Sequence, residues 1–132
     1  MGRKTKKGLD YFSLDTKFSD SIKLCGIELG SDGICILIEL WQNIYANNGY
    51  YMDLTEDHKM LFIKDSMSGV KLDTFEKCLN VFFKRGVFDK EKYEQYQILT
   101  SDSIQERYIE ACNMTKRTNV LIYREYLLIN IE

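Results

Sequence analysis

Lys71, Lys77, Asn80, Lys84 and Arg85 are the residues here best suited to chemistry, and that chemistry is recognition. Ammonium and guanidinium groups neutralise phosphate oxygens, and an asparagine amide both donates and accepts at a base edge. Residues for bond-making chemistry are sparse. Cys25, Cys35, Cys78 and Cys112 are widely separated, and His58 is the single histidine. No two cysteines share the close spacing of a zinc site, so they read as reduced core residues inside helices, and no metal or cofactor is expected. His58, near the start of a helix, reads as a surface residue. Glu56 and Asp57 are adjacent and point in different directions on a helix, which makes them a poor acid–base pair. Neither a phosphate-binding loop nor a nucleophile elbow is present, so an enzyme is not expected.

Two helices are predicted to position the cations. The first opens at Thr55 and carries Met60, Ile63 and Met67 on or near one face. After a break at Ser68-Gly69, the second runs from Leu72 to Arg85, with Phe75, Cys78, Leu79 and Phe82 as one apolar stripe of helical period. Gly86 stops it just past a basic last turn. Val87-Phe88-Asp89 reads as a strand, Lys90 to Tyr96 as an inserted helical turn or two, and Gln97 to Thr100 as the returning strand. This order predicts a winged helix-turn-helix.

The rest of the chain frames that unit. Residues 1–8 read as a basic flexible arm and residues 9–132 as a single domain. Leu9 to Asp15 reads as extended, anchored by Tyr11, Phe12 and Leu14. Ser19 or Asp20 caps a helix to Leu29, closed by Gly30, in which Ile22, Cys25 and Leu29 share a face. The next helix runs from Ser31 or Asp32 to Asn47-Asn48-Gly49. Its face of Ile34, Leu37, Ile38, Trp41, Ile44 and Tyr45 is the widest in the sequence, which marks it as the central packing helix. Tyr50 to Asp53 reads as a short strand. A further helix begins at Ser101 or Ser103, the latter matching a capping box with Glu106. Ile104, Tyr108, Ala111 and Cys112 lie on one side of it. Its Gln105 and Arg107 either reach a phosphate or a partner's backbone or serve the fold, Arg107 by pairing with Glu110. Val120 to Ile131 reads as a terminal strand, with a helix as the alternative. The predicted fold class is therefore α+β and mostly helical: a winged helix-turn-helix with an extra N-terminal helix and a C-terminal helix plus strand.

Composition bounds the partners. The 132 residues are 45% hydrophobic and 13% aromatic, ample for one core, and contain no proline. No apolar run of about 18 residues suggests a membrane span, and the basic N-terminus lacks the apolar stretch of a secretory signal. A cytoplasmic location is expected. Arg3, Lys4, Lys6 and Lys7 contribute +4 to a net charge of −2, leaving −6 on the remainder. A body this acidic limits DNA contact to a local surface that includes the arm.

Five short motifs, in this order and spacing, resemble a known family: Lys7-Gly8-Leu9-Asp10-Tyr11-Phe12, Gly49-Tyr50-Tyr51, Lys84-Arg85-Gly86-Val87-Phe88-Asp89, Ile98-Leu99-Thr100-Ser101 and Ile104-Gln105-Glu106-Arg107-Tyr108. The family is the N-terminal domain of phage and prophage replication proteins, formally of unknown function and often followed by a DnaD-like region. The resemblance implies a winged-helix fold and a part in replication initiation or helicase loading. It supplies no catalytic residue. Ser13 departs from it where a proline is common, and the chain stops where the downstream region would follow. It reads as either a piece of a longer protein or a short stand-alone member.

The leading expectation is a DNA-binding or replication-associated module. Lys77, Asn80 and Lys84 would face a major groove, flanked by Lys71 and Arg85, while Lys4, Lys6 and Lys7 neutralise adjacent phosphates. The alternative is a protein-interaction module on the same scaffold. It would dock a replication protein or another phage or host protein through Lys90–Tyr96, with Tyr93 and Tyr96, or pair as a homodimer along the terminal strand.

Overall fold

The computed structural model describes residues 7–115 and 122–130. The chain is mostly helical, with one small antiparallel sheet. Helix α1 (Asp20–Ala46) is capped by the Ser19 hydroxyl, which accepts from the Ile22 N–H. Gly30 interrupts it with φ 75° and ψ −167°, so two helices meet at a break, as the glycine suggests. Strand β1 (Met52–Asp53) leads into α2 (Glu56–Asp65) and α3 (Leu72–Lys84). Helix α4 (Lys90–Tyr96), strand β2 (Ile98–Leu99) and α5 (Asp102–Met114) follow, then a 3-10 turn at Arg124–Tyr126. Met52 pairs with Leu99 and Asp53 with Ile98.

The core forms where α1 crosses α3. Phe75, Cys78, Leu79 and Phe82 are all buried, as the helical stripe requires, and the three large side chains contribute about 1.5–3 kcal/mol each. They meet Ile36, Leu37, Leu40 and Ile44 of α1. The buried face of α1 is thus centred on Ile36 and Leu40, and Ile34, Ile38 and Trp41 are only half-buried at its edge. Trp41 instead meets Phe12 edge-on, with centroids 6.5 Å apart.

Several expectations are corrected. Met60 and Met67 are 56% and 83% exposed, and α2 faces inward through Phe62 and Lys59. Phe62 meets Phe75 with ring centroids 5.3 Å apart. Val87–Asp89 is not a strand: it makes one ladder-like bond, Asp89 N–H to the Thr100 carbonyl, because α4 begins immediately. Asp89 is consumed as the α4 cap, accepting from the Lys92 N–H. Ser101, not Ser103, caps α5 by accepting from the Ile104 N–H. Of the expected N-terminal anchors, Phe12 is half-buried but Tyr11 and Leu14 are exposed, and Leu9 is the buried residue.

Nor is a terminal strand formed among the described residues of 120–131. Residues 122–130 form the 3-10 turn and irregular backbone, while positions 120, 121 and 131 of that prediction lie outside the described residues. The reason is a side chain. Gln105 is fully buried; its amide nitrogen donates to the Tyr126 carbonyl and to Thr100 Oγ1, and its oxygen accepts from the Leu128 N–H. Backbone groups that a neighbouring strand would take are satisfied by one glutamine.

Candidate nucleic-acid interface

The α2–α3 pair is fixed from three sides before any of its outward residues is considered. Glu39 of α1 pins the intervening turn, its carboxylate accepting from the Ser66 hydroxyl (2.9 Å) and the Met67 N–H (3.0 Å). Gly69 completes the turn at φ 66°. Lys59 of α2 is 3% exposed, with its ammonium 3.1 Å from Glu56, 2.9 Å from Glu76 of α3 and 5.3 Å from the Tyr93 ring centroid of α4. Burial alone would lower its pKa. Hydrogen bonding to Tyr93, Glu76 and Glu56 outweighs that and holds it above the ordinary lysine value.

With one face of α3 buried, the other turns outward. Lys71, Lys77, Asn80 and Lys84 are exposed and Arg85 is half-buried. Lys71 and Lys77 form no ion pair among the described residues. The acids of α3 are partly occupied: Glu76 holds Lys59, and Asp73 accepts from the Thr74 N–H. Lys84 and Arg85 are not free. Both meet Glu28 of the first half of α1: Lys84 Nζ lies 2.7 Å from Oε1, Arg85 Nη2 3.2 Å from Oε1 and Arg85 Nε 3.3 Å from Oε2. Hydrogen bonds from Lys84 and then Arg85 hold the Glu28 carboxyl below the usual carboxylate range. Lys7 is exposed, whereas Lys4 and Lys6 lie outside the described residues.

The remaining sequence-predicted groups serve the fold. His58 completes a capping box at the start of α2, its Nδ1 accepting from the Thr55 N–H while Thr55 Oγ1 accepts from the His58 N–H. Arg107 turns away from Glu110 to Asp15 and the Ser13 carbonyl. Cys25, Cys78 and Cys112 are buried thiols, and burial pushes the first two above the ordinary value. Among the described residues no three His, Cys, Asp or Glu side chains are grouped to hold a metal ion. No helix among them is long and apolar enough to cross a membrane. Sequence reading missed Glu28 and Lys59, whose partners lie 56 and 17 residues away, beyond any local pattern.

A family model described as Lin1244/Lin1753-like, N-terminal, matches residues 11–104. An uncharacterized phage-related protein of Listeria innocua serovar 6a, Lin1244/Lin1753, is 37% identical over 132 residues. The alignment covers 98% of this chain and 42% of that relative, so the chain spans less than half the relative's length. No solved structure matches.

Proposed function

This chain belongs to the Lin1244/Lin1753-like N-terminal family, and we propose that it is a winged-helix DNA-contacting module of a phage-type replication protein. The observation that carries the reading is the two-sidedness of α3: its apolar stripe is spent on α1, while Lys71, Lys77 and Asn80 are exposed, and the two lysines form no ion pair among the described residues. The order β1, α2, α3, α4, β2 supports the winged-helix assignment, with α4 as a helical wing between the segment Val87–Asp89 and β2. The phage-related relative supports the setting. In this reading α3 lies in a major groove, the lysines neutralise phosphates, and Asn80 reads a base edge. The basic residues Lys4, Lys6 and Lys7 add contacts beside it. Binding of the full chain to duplex DNA over a salt series tests this. With about five phosphates engaged, the logarithm of affinity falls with the logarithm of salt at a slope of about −4 to −5, and Lys77→Glu weakens binding. No binding at low salt, or a flat dependence, refutes it.

A second reading, a protein-docking module, is favoured by a cluster of tyrosines. Tyr51, Tyr96, Tyr123 and Tyr126 form a contiguous ring cluster in which Tyr96 and Tyr123 are 41% and 49% exposed. The cluster suits a protein partner or a second copy, because tyrosine supplies contact area at low entropic cost. The terminal strand once expected to pair a dimer is not formed in residues 122–130, so such a dimer would have to use these side chains. Sedimentation of the purified chain separates a dimer from a monomer.

A further inference from the structure

We propose that Lys84 and Arg85 form an oxyanion seat for a phosphodiester, and that Glu28 occupies this seat as an internal stand-in that gates it. The inference rests on the DNA reading above. The two Glu28 oxygens are held as two phosphate oxygens would be: one by Lys84 Nζ and Arg85 Nη2 together, the other by Arg85 Nε. That fork is how a guanidinium grips a carboxylate or a phosphate alike. The side chains of Lys84, Arg85 and Glu28 are 57%, 31% and 29% exposed, so a phosphate can approach the seat from solvent. Exchanging one hydrated oxyanion for another makes and breaks no covalent bond and moves no proton.

Glu28 also arrives on a segment set off by a break. Gly30 breaks the helix with a positive φ, and a Cβ added there would meet nothing within 4 Å. In residues 20–29 Cys25 is the single buried side chain, whereas Leu24 and Ile27 are exposed. Most of the buried residues of α1 (Ile36, Leu37, Leu40, Ile44 and Tyr45) lie beyond the break. Cys25, with Ile22 and Leu29 half-buried beside it, ties the segment to the core, so Glu28 leaves the seat by rotation of its own side chain or a small shift about Gly30 while the rest of α1 stays on α3. The acid keeps two of the four cations on and flanking α3 (Lys71, Lys77, Lys84 and Arg85) silent until a phosphate displaces it.

Glu28→Gln in the full chain, titrated with a short DNA duplex over a salt series, tests the gate. An exposed ion pair is worth about 1.4- to fivefold, so relieving two raises affinity by about 2- to 25-fold. The log–log salt slope changes by less than about 1, because the same two cations meet phosphate once Glu28 is displaced in the wild-type complex. Glu106→Gln, which removes the same charge from an exposed position on α5, controls for net charge. Adding Lys84→Gln and Arg85→Gln to Glu28→Gln abolishes the gain in affinity and makes the slope shallower by about 1 to 2 if the seat is real. If wild type binds and Glu28→Gln matches it in affinity, or gains no more than Glu106→Gln, the gate is overturned while DNA binding stands. If neither wild type nor Glu28→Gln binds at low salt, the gate falls together with the DNA reading.

Discussion

Gln105→Leu should detach the C-terminal segment and weaken the whole domain. The wild-type amide makes three hydrogen bonds, at 3.1 Å to Thr100 Oγ1, 2.8 Å to the Tyr126 carbonyl and 2.8 Å from the Leu128 N–H. Thr100 in turn donates to the Tyr50 carbonyl at 2.6 Å, so the network joins α5, β2, the approach to β1 and residues 126–128. Leucine is close in size and leaves little cavity, so the loss is in the hydrogen bonds. At about 0.5–1.5 kcal/mol each, three bonds amount to roughly 2–4 kcal/mol. That is a large share of the roughly 5–15 kcal/mol typical of a domain. With a urea dependence of about 2 kcal/mol per molar, the unfolding midpoint should fall by about 1–2 M. Hydrogen exchange supplies the local signature: the Leu128 amide, which donates to Gln105, should lose protection in native buffer. A midpoint within about 0.3 M of wild type, with Leu128 still protected, would refute the claim that this side chain holds the segment.

Gly49→Ala should cost about 2–5 kcal/mol in urea unfolding, since φ there is +92° and the new Cβ would lie 2.1 Å from the Tyr108 ring, adding backbone strain to overpacking. A change below about 0.5 kcal/mol contradicts that packing. Lys59→Met should destabilise by about 1–2 kcal/mol rather than the larger cost of a fully buried pair, because its partners Glu56 and Glu76 remain 74% and 40% exposed. Thermal unfolding measures it, and a stabilised variant would show that the ammonium is not an anchor. Alkaline pH should unfold the chain. Burial pushes Tyr45 up to about 12, so its stabilising contribution is complete below its unfolded value near pH 10. That contribution is lost as pH rises from about 10 to 12, at up to about 1.4 kcal/mol per unit. Lys59, also raised, acts in the same direction. Urea midpoints at pH about 8 and about 11 check the sign, and equal midpoints would refute it.

Local periodicity made α3 legible. Its apolar positions recur without interruption, and all four inward residues and the outward Lys77, Asn80 and Lys84 lie where the helical period puts them. The breaks at Gly30, Gly49 and Gly86 were legible for a related reason, each having positive φ. Helix α2 misled because a lysine replaces an apolar residue on its inner face. Hydropathy favours Met60 over Lys59, but the ion pair to Glu76 that reverses the choice comes from another helix. Residues 122–130 have strand-like composition, yet their partner is Gln105 rather than a strand, and composition cannot reveal which group takes a backbone N–H. The candidate interface was half-readable: exposure follows from the period, while the capture of Lys84 and Arg85 by Glu28 is a tertiary event.

The contacts of α5 set an order of events during synthesis. Arg107 reaches Ser13 and Asp15 across 94 and 92 residues, and Tyr108 donates to the Lys7 carbonyl across 101. A chain emerging from the ribosome can form α1 and the α2–α3 pair early and can seat Leu9 and Phe12 on Tyr45, but the ties from Arg107 and Tyr108 wait until α5 has been made. Loop closure over such spans is entropically costly and slow, so these ties complete the domain last. Until then the stack of Phe12 on Tyr45 and its edge contact with Trp41 are what hold the opening segment to the nascent fold.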